Sequence, residues 1–434
     1  MRLTEWNPSD PIFWERIGKK IAYRNLIIST LALHLAFCIW QMWSVMTINL
    51  ASVGFTYTTD QMFTLTAIPA LVGAVLRLFY SIAITYLGGR NWTVISTIVL
   101  IIPAIGIGLA IQNPNTPFFT MAILSALCGV GGANFASSMA NIGPFFPKDK
   151  QGTALGINGG IGNLGVSVVQ FVAPAVVGIP LFGMLLGGPQ KMMSENGTES
   201  IWLQNGAFIW VIPLVVISII AFFGMNNLPA PKVSLLEQAQ VFKGKHMYLI
   251  TILYIMSFGS FIGYSAAFPL LITKQFPEVN ALQFAFLGPL LGASFRTVGG
   301  YFADKFGGAI VTFIAVIIMV FGTGGVVYFV GENTSSFLGF FLMFMILFLA
   351  GGIANGSIFR MIPIIFGPKE TPAAIGFSAA IGAFGGFFIP KLFGWSFEWF
   401  GGSQFALYVF ISYYLLCAII LWIYYARPGA ELKC

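Results

Sequence analysis

The sequence predicts an all-α membrane protein, with twelve transmembrane helices arranged as two six-helix halves. Three observations predict it. Of 434 residues, 57% are hydrophobic and only 8% charged, against about a quarter charged in soluble domains. Apolar runs long enough to cross about 30 Å of hydrocarbon, at about 1.5 Å per residue, recur along nearly the whole chain. Short motifs of the first half return about 220 residues later in the second.

In chain order the apolar runs fall at 25–50, 62–87, 93–112, 117–142, 152–178 and 202–224, then at 247–273, 282–303, 308–330, 336–362, 372–394 and 404–426. Before the first stand Arg2, Arg16, Lys19, Lys20 and Arg24. This basic, polar start has no cleavable signal pattern and predicts a cytoplasmic amino terminus. An even number of spans then returns the carboxyl terminus to the same side. Counted through that topology, Arg90, Lys148, Lys150, Lys232, Lys243, Lys245, Lys305, Arg360, Lys369, Arg427 and Lys433 fall inside, and only Lys191, Lys274 and Lys391 outside. The net charge of +7 is mostly this positive-inside bias, and no extended basic patch supports nucleic-acid binding. A bacterial inner membrane and a monomer are the expected setting.

The longest inner-side polar interruption, "GMNNLPAPKVSLLEQAQVFKGKH" at 224–246, divides the runs six and six. It predicts a first half over 1–224, a cytoplasmic linker over 225–246 and a second half over 247–434. Cys38, Cys128 and Cys417 lie within predicted spans and Cys434 beyond them, without metal-ligand spacing. No metal, cofactor or disulfide is expected. "NGT" at 196–198 matches a glycosylation pattern that is short and carries no weight in a bacterial setting.

The repeat is explicit. "LVGAVLRLFYS" (71–81) and "LLGASFRTVGG" (290–300) share a lead-in to Arg77 and Arg296, each with a Gly-Gly pair eleven residues on. "GTALGINGGIGNLG" (152–165) pairs with "PAAIGFSAAIGAFGG" (372–386), "ANFASS" (133–138) with "ANGS" (354–357), and "FFPK" (145–148) with "FGPK" (366–369). A parallel repeat of six spans resembles the construction of major facilitator transporters, whose substrate site lies at midplane between the halves. "GGYFADKFGG" (299–308) likewise resembles that superfamily's inner-loop signature at Gly300, Asp304, Lys305 and Gly307. The first-half counterpart keeps Gly88, Gly89 and Arg90 but has no aspartate. Asp304 and Lys305 also fit a solvated turn with a helix cap.

Arg77 lies about ten residues, hence about 15 Å, inside its span, and Arg296 at the equivalent depth. A guanidinium there costs about 2.5–3.5 kcal/mol even on the mildest insertion scale. A carboxylate on a neighbouring helix is the usual remedy. All fourteen Asp and Glu residues, however, map to termini, loops or span ends. Two arginines without an internal carboxylate predict a site for a small anion that is carried across, because the planar guanidinium fork donates paired hydrogen bonds to an oxyanion and keeps its proton. The alternative is that each arginine satisfies itself on backbone carbonyls and water. Around them, Gly156, Gly159, Gly160 and Asn163 share one helix face that is nearly bare backbone, suited to close packing or to ligand contact. Asn163 is the expected contact. Asn134, Ser138 and Asn141 form a polar stripe expected to bond between helices. Phe135, Tyr254 and Phe258 are candidate pocket walls or ordinary core.

At "GGANFASSMANIGPFFPKDKQGTALGINGGIGNLGVSVVQ" (131–170) and "GFSAAIGAFGGFFIPK" (376–391) the chain resembles the nitrate/nitrite porter family of the major facilitator superfamily. These stretches match its two nitrate signatures. The resemblance implies that Arg77 and Arg296 clamp nitrate or nitrite, that Phe135 and Phe258 sandwich the planar ion, and that Tyr254 and Asn163 donate to its oxygens beside the Gly159 backbone. The segment "IIFGPKETPAAIGF" (364–377) is shorter and less charged than in better-known members.

Family members include antiporters and proton symporters. A coupled proton needs a titratable group inside the membrane, and His34 is the one candidate; it also fits a packed histidine donating to a carbonyl. Exchange of nitrate for nitrite is therefore the expected mechanism, with proton-coupled symport or carriage of another small anion as alternatives. No soluble domain, nucleophile–base pair or cofactor fingerprint supports an enzyme or sensor. A channel would also select anions with arginines, but a two-half repeat favours alternating access.

Overall fold

A computed structural model of the chain describes residues 3, 5–183, 185–194, 197–229, 240–432 and 434. Residues 230–239 of the predicted linker, and Asn196 of the "NGT" pattern, lie outside the described residues. The chain folds as two compact units, one of 1–57 and 72–232, the other of 58–71 and 233–434.

The first unit holds α1 (Lys19–Trp40), the later part of α2 (Thr59–Leu87), α3 (Gly89–Ala110), α4 (Phe118–Ile142), α5 (Lys148–Val177) and α6 (Asn205–Gly224). The second holds the first turns of α2 with α7 (Lys245–Gln275), α8 (Leu287–Phe306), α9 (Gly308–Phe329), α10 (Phe337–Gly367), α11 (Ala373–Phe400) and α12 (Gln404–Ala426). Eleven of these are long and apolar enough to cross a membrane, among the described residues. The exception is α8. Its 20 residues span about 30 Å, but Arg296, Asp304 and Lys305 dilute its apolar character.

One departure from the all-α expectation stands in the loop before α6. Strands β1 (Gln190–Ser194) and β2 (Gly197–Ile201) pair antiparallel, Gln190 opposite Ile201. Gln190 Nε2 donates to Gln204 Oε1 at 2.8 Å, and Leu203 N donates to Gln190 Oε1 at 3.0 Å, so the hairpin is tied to the entry of α6. Loop backbone in a polar environment can pair as a strand without contradicting the helical spans around it.

Within each unit, helices meet through small residues. A Cβ on Gly165 of α5 would lie 2.2 Å from His34 O of α1, and one on Gly131 of α4 would lie 2.2 Å from Ala36 O. In the second unit, a Cβ on Gly299 would meet Ile353 O at 2.2 Å and one on Gly352 would meet Gly292 O at 2.3 Å, which seats α8 against α10 backbone to backbone. Lipid supplies no hydrophobic drive between apolar helices, so such close contact is what holds them. The turns into α3 and α9 use matched glycines, Gly88 at φ 82° and Gly307 at φ 92°, a conformation that costs other residues a Cβ clash. Each turn is fastened to the end of its own unit: Arg90 N donates to Asn227 Oδ1 at 2.7 Å, and Ala309 N to the Cys434 carbonyl at 3.1 Å. In the polar stripe of α4, Ser138 Oγ lies 2.8 Å from Ser29 Oγ and accepts from Asn158 Nδ2 at 2.8 Å, and Asn134 Nδ2 donates to Ser96 O at 3.4 Å, the interhelical bonds expected of them, whereas Asn141 Nδ2 has no partner among the described residues.

Candidate functional site

Arg77 is 1% exposed. Its placement follows from the small residues around it: a Cβ on Gly73, one turn earlier, would meet Gly129 O at 3.0 Å, so α2 and α4 run close together there. That proximity lets Arg77 Nε donate to Gly132 O at 2.9 Å. The guanidinium carbon stands 5.1 Å from the Phe135 ring centroid and 5.2 Å from that of Trp40. Two aromatic faces thus supply part of the electrostatic compensation that no nearby chain acid was expected to give.

On the same unit, Asn163 is 1% exposed, and Gly159 is buried beside it on α5. Among the described residues neither Oδ1 nor Nδ2 of Asn163 has a hydrogen-bond partner. A buried amide left so costs about 1–3 kcal/mol. On the predicted glycine face of α5, Gly156 and Gly160 face open space; the close contacts come from Gly162 and Gly165, which lie off that face, with Leu33 and with His34 and Phe37 of α1. His34 Nδ1 lies 2.9 Å from Ile161 O, an arrangement that has the ring donating to a carbonyl.

In the second unit Arg296 is partly buried, its guanidinium carbon 4.7 Å from the Phe359 ring centroid. Tyr254 and Phe258, both 0% exposed, stack at 5.5 Å with 14° between ring planes, and Tyr254 meets Phe359 edge-on at 5.3 Å. A π-turn over Ile255–Gly259 interrupts α7 just after Tyr254 and carries Phe258. Such turns re-aim side chains inside otherwise regular helices. Tyr254 is further held by Gly382 of α11, where a Cβ would come 2.5 Å from its ring.

The structure therefore joins Arg77 to Phe135, and links Arg296 through Phe359 to Tyr254 and Phe258. Asn163 and Gly159 share α5 without a hydrogen bond from the Asn163 amide to Arg77. Trp40 and Phe359 escaped sequence reasoning, because single rings in a chain with 44 Phe, 14 Tyr and 10 Trp carry no signal. Asp304 Oδ2 meets Arg360 at 3.0 Å, both half-exposed, so the inner-loop aspartate ties α8 to α10. No group of three or more His, Cys, Asp or Glu stands ready to hold a metal among the described residues.

Comparison with known proteins agrees with this architecture. The Major Facilitator Superfamily profile matches residues 26–390. A nitrate/nitrite transporter NarU of Salmonella typhimurium (strain LT2) is 47% identical, covering 98% of this chain and 96% of its own. A probable nitrate/nitrite antiporter NarK2 of Thermus thermophilus is 39% identical, covering 100% and 98%. Among solved structures, a bacterial homolog of the human lysosomal transporter Spinster, inward-facing, superposes with a TM-score of 0.69 over 93% of this chain and 96% of that one. The inward-open xylose transporter XylE from E. coli gives 0.69 over 92% and 96%. Both are 14% identical, a likeness of fold alone. On the profile match and on relatives at 39–47% identity over nearly their whole length, the chain belongs to the nitrate/nitrite porter family of the major facilitator superfamily.

Proposed function

We propose that the protein carries nitrate and nitrite across the bacterial inner membrane by alternating access, exchanging one anion for the other. The single observation that carries this reading is the Asn163 amide, buried to 1% exposure with no hydrogen-bond partner on either atom among the described residues. A polar group kept bare at that depth is explained by a ligand that completes it. Arg77 supports an anion as that ligand, since its charge is desolvated between two rings and its fork suits a planar oxyanion. The names of the two relatives narrow the anion to nitrate and nitrite.

In this reading Arg77 and Arg296, repeat-related in sequence, both engage the ion; Phe135 and Phe258 flank it; Tyr254 and Asn163 donate to its oxygens near Gly159. Twelve spans, halves over 1–224 and 247–434 joined by a cytoplasmic linker at 225–246, a monomer and both termini in the cytoplasm complete the proposal. All fourteen Asp and Glu residues map to termini, loops or span ends, so no carboxylate inside the membrane is at hand to couple a proton, which favours exchange over proton-driven transport. The His34 contact with Ile161 O supports a packing role for that ring.

The test is counterflow in proteoliposomes. Nitrite-loaded vesicles are expected to take up external nitrate, empty vesicles hardly at all, and an imposed pH gradient to change little. Strong uptake by empty vesicles under an inward proton gradient overturns exchange and assigns His34 a coupling role.

A further inference from the structure

Away from the arginines, the first unit contains a crevice between α1, α3 and α4 in which the centre of a water molecule can range over about 10 Å³. Its polar lining is Thr93, whose hydroxyl donates to Gly89 O at 2.8 Å, together with Ser29, Ser96, Thr97, Asn134, Ser137 and Ser138, each of these six at most 6% exposed. No charged side chain lines it. Within this lining two atoms have no partner among the described residues: Asn134 Oδ1 and Thr97 Oγ1.

The remaining bonds can be followed atom by atom. Asn134 spends its amide nitrogen on Ser96 O at 3.4 Å, and Ser137 donates to Asn134 O at 3.2 Å. Ser96 donates to Thr93 O at 3.4 Å. Ser29 and Ser138 share one bond at 2.8 Å, in which only one of them can be the donor. Since Ser138 already accepts from Asn158 Nδ2, one hydroxyl proton of the serine pair is left unspent in either arrangement. The crevice thus presents an acceptor that only accepts, a hydroxyl that can do both, and one surplus proton.

We propose that the crevice is a resident hydration site: a single water donates to Asn134 Oδ1 and bonds Thr97 Oγ1, while accepting the spare Ser29–Ser138 proton. Three bonds lie within the range usual for a buried water, and about 10 Å³ for its centre is the room one molecule needs. Nitrate does not fit that space, and the uncharged lining offers nothing to hold an ion. Asn134 directly precedes Phe135, so the water sits behind the helix turn that presents the ring to Arg77. At that point the water adds to the direct bonds between Ser29 and Ser138 and from Asn134 to Ser96 that join α1, α3 and α4.

Two experiments on the full-length protein test it. A map of the wild type that resolves ordered solvent is expected to show one peak within about 3 Å of both Asn134 Oδ1 and Thr97 Oγ1; an empty crevice overturns the proposal. The second is a sign test. If water bonds Thr97, Thr97→Val strands that water and lowers the melting temperature by about 2 °C. If the crevice is dry, the same substitution removes an unsolvated hydroxyl and raises it. A rise overturns the proposal, and the result is expected to be the same with and without nitrate.

Discussion

Arg77 Nε donates to the carbonyl oxygen of Gly132 at 2.9 Å, tying the guanidinium of α2 to the backbone of α4. This bond uses the one guanidinium nitrogen that lies on the stem. Trp40 and Phe135 at 5.2 and 5.1 Å then restrict how the plane can turn. An arginine held this way is oriented before any anion arrives, which reduces the ordering cost of binding. Lysine keeps the charge but has neither the Nε donor nor the paired geometry. Arg77→Lys is therefore expected to weaken nitrate/nitrite counterflow by about tenfold or more, the loss of one charge-assisted bond of about 1.5–3 kcal/mol. Normal counterflow by Arg77→Lys and Arg296→Lys alike would show that paired donation is not how the anion is recognised.

Asn163 allows the fold and the site to be separated. Its amide is buried and bare among the described residues, so it destabilises the ligand-free protein. Asn163→Leu, close in volume, removes that burden and is expected to leave the melting temperature unchanged or raised by a few degrees, while apparent nitrate affinity falls about tenfold. Melting curves with and without nitrate measure both: the variant should start higher and gain less from the anion. A drop in stability without loss of affinity would assign Asn163 to packing.

Much of this was legible in the sequence, for a physical reason. A charge in an apolar run is costly, so Arg77 and Arg296 announce themselves and their matched surroundings expose the repeat. The same cost explains why α8, within the apolar run at 282–303, is less apolar than the other eleven helices. Rings are different. Phe135 and Phe359 serve the two arginines, yet the offset between Asn134 and Asn355 puts Gly356 opposite Phe135 and Ser138 opposite Phe359. The two units therefore place a ring on the guanidinium from different turns of α4 and α10, which no alignment of the halves reveals. Periodicity puts Gly162 and Gly165 on a different face from Gly156 and Gly160 but does not show which face carries the packing, because only the position of α1 decides.

Lys391 of α11 meets both carboxylate oxygens of Asp60, at 2.6 and 2.5 Å, and Thr64 Oγ1 at 2.9 Å. The side chains are 15% and 19% exposed, so the pair is largely desolvated. Removing one partner strands the other. Lys391→Met is expected to destabilise by about 3 kcal/mol, with Asp60→Asn similar, and the double variant should recover much of the loss because neither charge is then stranded. A thermal-denaturation cycle measures the coupling. Strictly additive losses would mean that the pair contributes nothing as a pair.

The segment after α12 is held to the start of α7 by charge. Glu431 accepts from Lys245 Nζ at 2.6 Å and lies 3.3 Å from His246 Nε2, while His246 Nδ1 stands 2.9 Å from the Tyr425 hydroxyl. The Lys245 hydrogen bond holds the Glu431 carboxyl below its ordinary value of 4.5, with the His246 contact adding to the effect. A depressed carboxyl stabilises the folded form at every pH above the ordinary value and loses that contribution as pH falls through the lower folded value. The difference in melting temperature between wild type and Glu431→Gln is thus expected to be constant from neutral pH down to about 5 and to vanish on further acidification. Because Glu431 is exposed, the difference should also shrink in high salt, unlike that of the Asp60 pair. A difference that grows as the pH falls would reverse the sign and exclude Glu431 as the anchoring charge.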